Sequence, residues 1–502
     1  MSTALPVDLD DIQGLVRFGY KHHTEASFLL LRVTDRNAAR RWLASVPVTT
    51  AVTIDPPPEF AIQVALTAEG MRALGVDAAV VDAFANEFVV GMSGDANRAR
   101  RLGDVGANDP AHWQWGAGTR VPHVAVLLYA MPGRLAVLQE AIESQCRAGF
   151  ERTACLATSD LDGIEPFGFT DGISQPMLDW DRQRLARDAE RTKYSNLSCL
   201  GEYLLGYPNE YGGYTDRPLL DRAAAGPLLP RAEDAPDRAD LGRNGSYLVL
   251  RQLRQDVHGF WQFVDRHVGG DAARRERLAS AMVGRQRDGT PLIVPAIEEI
   301  EGGGDPKDRN AFTYRSDRDG LRCPLGAHIR RSNPRNADLP PGPGGFLSWA
   351  KRTLGFDADA LAHDLVASTR FHRLLRRGRE YGPGVPIEQA LAGTSNGNDP
   401  GLHFICLGAN IARQFEFVQN AWLVSTKFNG LNEESDPLLG NRAASDHPRT
   451  DYFSIPREGR VPRRLTGVPQ FITVRGGAYF FLPSIRVLRY LARGGTSSLP
   501  QE

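Results

Sequence analysis

Five times along this chain a short apolar run is followed by a stretch with helical spacing. In the first half, Ala26–Val33 (ASFLLLRV) leads through Thr34 and Asp35 into NAARRWLASV. Phe60–Leu66 leads into TAEGMRAL, and Val121–Tyr129 into GRLAVLQEAIES. In the second half, Ser246–Leu250 leads into DVHGFWQFVDRH, and Leu402–Leu407 into NIARQFEFVQNAW. Runs of this length bounded by turn residues read as strands, and the apolar positions three and four apart that follow read as helices. A doubly wound parallel sheet shows similar alternation, but no glycine-rich phosphate turn follows any of the strands. The expectation is an α+β fold, a duplicated plan of two antiparallel sheets with helices packed on them.

A chain of 502 residues exceeds the size at which one hydrophobic core stops growing. The segments YPNEYGGYTDRP and AAAGPLLPRAEDAPDRADLGRNG are too rich in Gly, Pro and Asp to continue a regular element. They place an insertion or linker at 205–244, between an N-terminal domain, 1–204, and a C-terminal domain, 245–502. Two further irregular stretches, Glu299–Asp319 and Leu339–Gly345, flank a segment with chemical character, and long loops beside a site commonly form its walls.

Hydrophobic residues make up 42% of the chain and charged residues 24%, the balance of a folded globular protein. A formal net charge of −1 gives no general attraction for nucleic acid or an anionic membrane surface. No run reaches the ~18 apolar residues of a membrane span. The start, MSTALPVDLDDIQG, lacks a basic segment followed by an apolar one. Five cysteines, odd in number and without C-x-x-C spacing, indicate neither a disulfide framework nor a zinc site. These features point to a cytoplasmic protein; assembly into a homo-oligomer is left open.

Three segments carry chemistry. Around His328 runs CPLGAHIRRSNPR, where small Gly326 and Ala327 admit a flat object near the backbone. Arg331, Asn333 and Arg335 offer donors to carboxylates, arginine in forked geometry. Taken alone, this is a candidate anion or cofactor pocket. The second segment, EPFGFTDGISQP, sets Asp171 in a glycine-bounded loop that presents one carboxylate against an apolar wall, or else forms a plain turn. In the third, FHRLLRRGREYGP, Leu374 and Leu375 run into Arg376 and Arg377, a buried element tipped with cations or a solvated end.

In this order the three segments resemble the dye-decolourising peroxidase family. The resemblance extends to DDIQG at Asp10–Gly14, FEFVQ at Phe415–Gln419 and GGAYFF at Gly476–Phe481, and so covers nearly the whole chain. The long insertions are similar to those of its larger, non-secreted bacterial branch. The resemblance implies paired ferredoxin-like domains, with one haem b per chain held mainly by the second. It implies a peroxidase that reduces hydrogen peroxide and oxidises dyes, phenols and similar aromatic reductants through a high-valent iron–oxo intermediate.

By position, the resemblance makes His328 the proximal iron ligand. Asp171 and Arg376 are then the catalytic pair on the peroxide face, with Arg377 an alternative for the cationic role. Arg331, Asn333, Arg335, Gly172, Ile173 and Arg377 fall to haem binding. Glu416 is the expected acceptor for the second ring nitrogen of His328, with Asn410 as the fallback. Rival readings are a haem-binding or haem-handling protein without peroxidase turnover, and a non-haem protein whose arginines bind a phosphorylated or carboxylate metabolite.

Overall fold

A computed structural model describes residues 6–183, 194–295, 305, 308–335, 369–393, 399–442 and 450–494. The Leu339–Gly345 stretch and part of Glu299–Asp319 lie outside the described residues. The first half contributes strands β1 (Glu25–Val33), β2 (Phe60–Leu66), β3 (Val124–Ala130) and β4 (Phe150–Ala157). Helices α1 (Arg36–Ser45) and α2 (Leu135–Cys146) follow β1 and β3. The second half contributes β5 (Ser246–Gln255), α3 (Val257–Val268), α4 (Ala272–Val283) and the short α5 (His328–Ser332). Strands β6 (Leu375–Arg376), β7 (Arg379–Tyr381), β8 (Gly401–Gly408) and β9 (Ile472–Leu482) complete it, before α6 (Ile485–Ala492).

The strand order is β6-β8-β5-β9-β2-β3-β1-β4, with β7 also on β8. Each half follows the ferredoxin-like order, β4-β1-β3-β2 in the first and β9-β5-β8-β6 in the second, and every pairing in the sheet is antiparallel. The two expected sheets therefore exist, but they run on into one sheet of nine strands. They join where Phe481 of β9 pairs with Leu66 of β2.

The N-terminal DDIQG motif closes that seam. Gln13 donates from Nε2 to the carbonyls of Val64 on β2 and Pro483 beyond β9, both at 2.8 Å, and accepts from Val64 N–H at 2.9 Å. Asp11 accepts from the N–H groups of Ile485 and Arg486, tying α6 to the same place. A single amide thus satisfies backbone groups that the short β2–β9 pairing leaves over, groups that are costly when buried without partners.

The runs in β1 and β3 are continuously apolar because both sheet faces are covered. Leu29, Leu31, Val126 and Leu128 face one core, together with Trp42 and Leu43 of α1 and Leu138 of α2. Phe28, Leu30, Leu127 and Tyr129 face the other, which Ile12, Leu15, Tyr203 and Leu204 cover. Helix starts are capped as their sequences suggest: Asp35 accepts from Ala38 N–H and Asp256 from Gly259 N–H. Among the described residues, no helix is long and apolar enough to cross a membrane.

One element departs from its expected form. The stretch after β8 is not an ordinary α-helix but two successive π-helical segments, Ala412–Glu416 and Val418–Val424. The wider turn redistributes the apolar side chains, and π-helical geometry is often found beside functional sites. Phe415, Val418, Gln419, Trp422 and Leu423 from this stretch reach the cavity described next.

Candidate active site

An interior cavity of about 270 Å³ lies between the second half of the sheet, the π-helical stretch and α5. Its sheet wall follows from strand alternation. Leu402 and Phe404 of β8 and Arg251, Leu253 and Gln255 of β5 project to one side, and Ile472 and Val474 of β9 join them. Arg376 of β6 pairs in register with Cys406 of β8 and faces the same side.

Against this wall sits the loop that carries Asp171. Ile164 and Thr170 pair across its neck, and Asp171 N–H bonds the Gly163 carbonyl at 3.0 Å. Gly168 and Gly172 adopt φ of +94° and +74°, left-handed values that side chains resist, which explains glycine on either side of the acid. Arg376 Nη1 donates to Asp171 Oδ1 at 2.8 Å, and Arg376 N–H is held by Gln175 Oε1 at 3.0 Å. About a third of each side chain of the Asp171–Arg376 pair is exposed, 37% and 32%, on the cavity they line. Burial raises the Asp171 carboxyl, but Arg376, the Gly172 N–H and His328 outweigh it and hold the group below the ordinary carboxylate value.

On the same cavity, His328 opens α5, and its Nδ1 donates to Asp436 Oδ2 at 2.9 Å. Asp436 is fully buried; its Oδ1 accepts from the N–H groups of Leu438 and Leu439, and Arg442 donates to its carbonyl. Burial pulls the imidazole down, but Asp436 more than offsets it and leaves His328 more basic than usual. With Nδ1 engaged, Nε2 is the nitrogen available to the cavity.

The other expected site residues divide into those at the cavity and those that serve the fold. Asn333 and Ile173 line the cavity, and Asn333 Oδ1 is buried there without a hydrogen-bond partner among the described residues. Arg335 lines it too, but its guanidinium donates to the Asn310 and Phe312 carbonyls and to Ser174 Oγ, and lies 4.0 Å over the Phe312 ring. Gly172 shapes the Asp171 loop and is absent from the lining.

Five expectations are corrected. Arg331 donates to the carbonyls of Trp422, Glu434 and Ser425, so it clamps the π-helical stretch and the Asp436 loop onto α5 instead of reaching a ligand. Arg377, next to Arg376 on an extended chain, points through the opposite sheet face and donates to the carbonyls of Leu15 and Val16. Glu416 does not reach His328: it pairs with Arg98 Nε at 2.9 Å and accepts from Tyr479 OH at 3.0 Å. Asn410 accepts from Arg413 N–H within its own turn. Gly326, moreover, is packed against Glu434 rather than open to the cavity.

Sequence reasoning missed Asp436. It sits in a turn-like ESDPLLG, 108 residues from His328, with nothing local to distinguish it from any capping aspartate. Glu165, Arg251 and Asp104 also belong to the cavity wall and were not singled out.

Comparison with known proteins identifies the family. No family model matches the chain. The multifunctional dye peroxidase DyP2 of Amycolatopsis sp. is 30% identical over 451 residues, 85% of this chain and 81% of that protein. The dye-decolorizing peroxidase AauDyP1 of Auricularia auricula-judae is 26% identical over 512 residues, 97% and 87% of the two chains. Among solved structures, a dye-decolorizing peroxidase in complex with 2,6-dimethoxyphenol superposes with a TM-score of 0.69 at 25% identity, covering 97% of this chain and all of that one. An ancestral D-type dye decolorizing peroxidase gives 0.72 at 23% identity, over 97% and 99%. With the fold and a 30% identical relative in agreement, the chain belongs to the dye-decolourising peroxidase family.

Proposed function

We infer that this chain is a haem peroxidase that reduces hydrogen peroxide and oxidises phenols, dyes and similar aromatic reductants, as its relatives' names and the 2,6-dimethoxyphenol complex suggest. The observation that carries the reading is the convergence of two pairs, Asp171–Arg376 and His328–Asp436, on one cavity. A protein that only carried haem would need a ligand such as His328. It would have no task for an acid and a cation brought together from positions 205 residues apart.

The residues present fit haem. Among the described residues no group of three or more His, Cys, Asp or Glu side chains could hold a metal by itself. One basic imidazole is offered, and the walls around it are largely apolar, with Leu402, Phe404, Phe415, Val418 and Leu439 among them. No cysteine is among the lining residues, which favours a non-covalently held b-type haem, one per chain.

When bound, the haem supplies the redox-active iron that takes electrons from the reductant and passes them to peroxide. The protein's part is to bind, orient and move protons. His328 Nε2 would hold the metal, while Asp436 fixes the ring and raises its basicity, as outer partners of metal-bound histidines do. Asp171, kept ionised, would accept a proton from one oxygen of hydrogen peroxide and return it to the other as the O–O bond breaks. Arg376 holds that carboxylate in place and supplies a fixed cation beside the developing charge.

The test is an absorption spectrum of the haem-reconstituted protein before and after one equivalent of hydrogen peroxide, repeated with His328→Ala. A strong haem band that depends on His328 and shifts on adding peroxide is the expected result. A band that peroxide leaves unchanged would reduce the protein to a haem binder, and a colourless protein would overturn the reading.

A further inference from the structure

We propose that Glu165 is the positioning residue of the peroxide face, fixing the Asp171 loop onto the sheet that carries Arg376. The inference rests on the reading of Asp171 as the proton-transfer group. It starts from a carboxylate to which the chemistry above gives no task, although it lines the same cavity.

Three donors converge on that carboxylate. Phe169 N–H donates to Oε1 at 3.0 Å; Phe167 N–H donates to Oε2 at 3.0 Å; and Gln255 Nε2 donates to Oε2 at 2.8 Å. The backbone of Glu165 closes the same loop, its N–H on the Phe169 carbonyl at 2.9 Å and its carbonyl accepting from Gly168 N–H at 2.7 Å. The loop between Gly163 and Asp171 is therefore wound around one side chain, which satisfies amides that its tight turns leave without other partners.

The third donor gives the arrangement its functional meaning. Gln255 belongs to β5, which pairs with β8, and β8 pairs with Arg376 of β6. Glu165 thus links the loop bearing the acid to the sheet bearing the cation. Other anchors lie on a different side: Thr170 N–H bonds the Arg287 carbonyl, Arg287 Nε bonds the Gly168 carbonyl, and Trp261 Nε1 bonds the Phe167 carbonyl. Those anchors hold the loop to the α3–α4 side; toward the sheet, its far end is tied to β6 through Asp171 and Gln175 on Arg376, and Glu165–Gln255 ties its near end to β5. Two of the three donors are backbone amides of the loop and the third is a side chain of a central strand, which suits a fixed placement.

A positioning role of this kind has a signature that a general structural role lacks. Glu165→Gln keeps the side chain's shape but leaves one acceptor oxygen for three donors and adds an amide that faces a donor. The loop then loosens while the rest of the fold keeps its contacts. Displacing a reacting group by about an ångström costs up to ~100-fold in rate.

The experiment measures the reaction of the haem-loaded enzyme with peroxide by stopped flow in four proteins: wild type, Glu165→Gln, Asp171→Asn and the double variant. It is paired with amide hydrogen exchange over residues 167–172 of the wild type and Glu165→Gln. The expected result is a ~10-fold or greater slowing by Glu165→Gln, no further slowing when it is added to Asp171→Asn, and faster exchange in the loop with an unchanged haem spectrum. An unaltered rate, unaltered exchange, or equal slowing in both backgrounds would overturn the proposal. If Asp171→Asn itself reacts at the wild-type rate, the proton-transfer reading fails first, and the four proteins show which of the two has failed. Should Glu165→Gln not fold, Gln255→Leu removes only the link to β5 and is expected to slow the reaction in the same way; a full rate there counts equally against the proposal.

Discussion

His328 and Asp436, separated by 108 residues of chain, meet through one 2.9 Å hydrogen bond from Nδ1 to Oδ2. Asp436 in turn is held by two backbone amides and by Arg442, so its geometry does not depend on the histidine. Loss of such an outer partner typically costs 10–100-fold in metal affinity or activity. Asp436→Asn is therefore expected to weaken haem binding by about that factor. It should also raise the iron's reduction potential, because a less basic imidazole donates less charge. Haem titration and spectroelectrochemistry measure both, and an unchanged affinity and potential would remove Asp436 from the site.

Asp171→Asn keeps the size of the side chain and its place beside Arg376, 2.8 Å away, but removes the basic oxygen. General acid–base groups of this type contribute about 10²–10⁴-fold. The variant is expected to bind haem as the wild type does and to react with hydrogen peroxide slower by a factor in that range. Stopped-flow mixing with peroxide decides it, and equal rates would exclude Asp171 as the proton carrier.

The pH dependence has a definite sign. Burial alone would raise the Asp171 carboxyl, yet Arg376, the Gly172 N–H and His328 bring it below 3.8. A group with a depressed value stays ionised as the pH falls through the ordinary carboxylate range, so the peroxide step should persist in mildly acid solution. Arg376→Leu removes the main cation opposing the effect of burial. Its acid limb should then move to higher pH, besides the loss of rate from the missing charge. Rate profiles of the two proteins that fall off at the same pH would show that Arg376 does not set the ionisation of Asp171.

What the sequence shows, it shows through local pattern. Strand and helix periodicity located β1, β2 and α1 to within a residue or two, and glycines around Asp171 announced a tight loop because only left-handed backbone demands them there. The residues it could not place are those whose role depends on contacts distant in sequence. Arg331 and Arg377 look like anion ligands in their motifs, but their guanidiniums are taken up by backbone carbonyls up to 362 positions away. Gln13 reads as one polar residue in a short motif until the strands on either side of the seam are brought together. Glu416 misled for the opposite reason: it lies in a motif of the family, yet its partners Arg98 and Tyr479 put it behind the cavity wall.

The reassignment of Glu416 makes a prediction that separates fold from chemistry. Arg98 and Glu416 retain only 2% and 7% side-chain exposure, and Arg101 adds a second cation 3.7 Å from the carboxylate. Removing one partner of a buried pair strands the other charge, at a cost of about 3–5 kcal/mol. Glu416→Gln retains one acceptor for Arg98 or Tyr479, so the loss should be on the order of 3 kcal/mol, the lower end of that range. Denaturant unfolding of the apoprotein measures it. Haem affinity and the haem absorption spectrum, by contrast, should match the wild type, since the carboxylate is not among the residues lining the cavity. A variant that unfolded like the wild type but bound haem weakly would return Glu416 to the ligand's hydrogen-bond partner and displace Asp436. The opposite pattern, a weakened fold around an intact haem site, is the one that the Arg98 and Tyr479 contacts require.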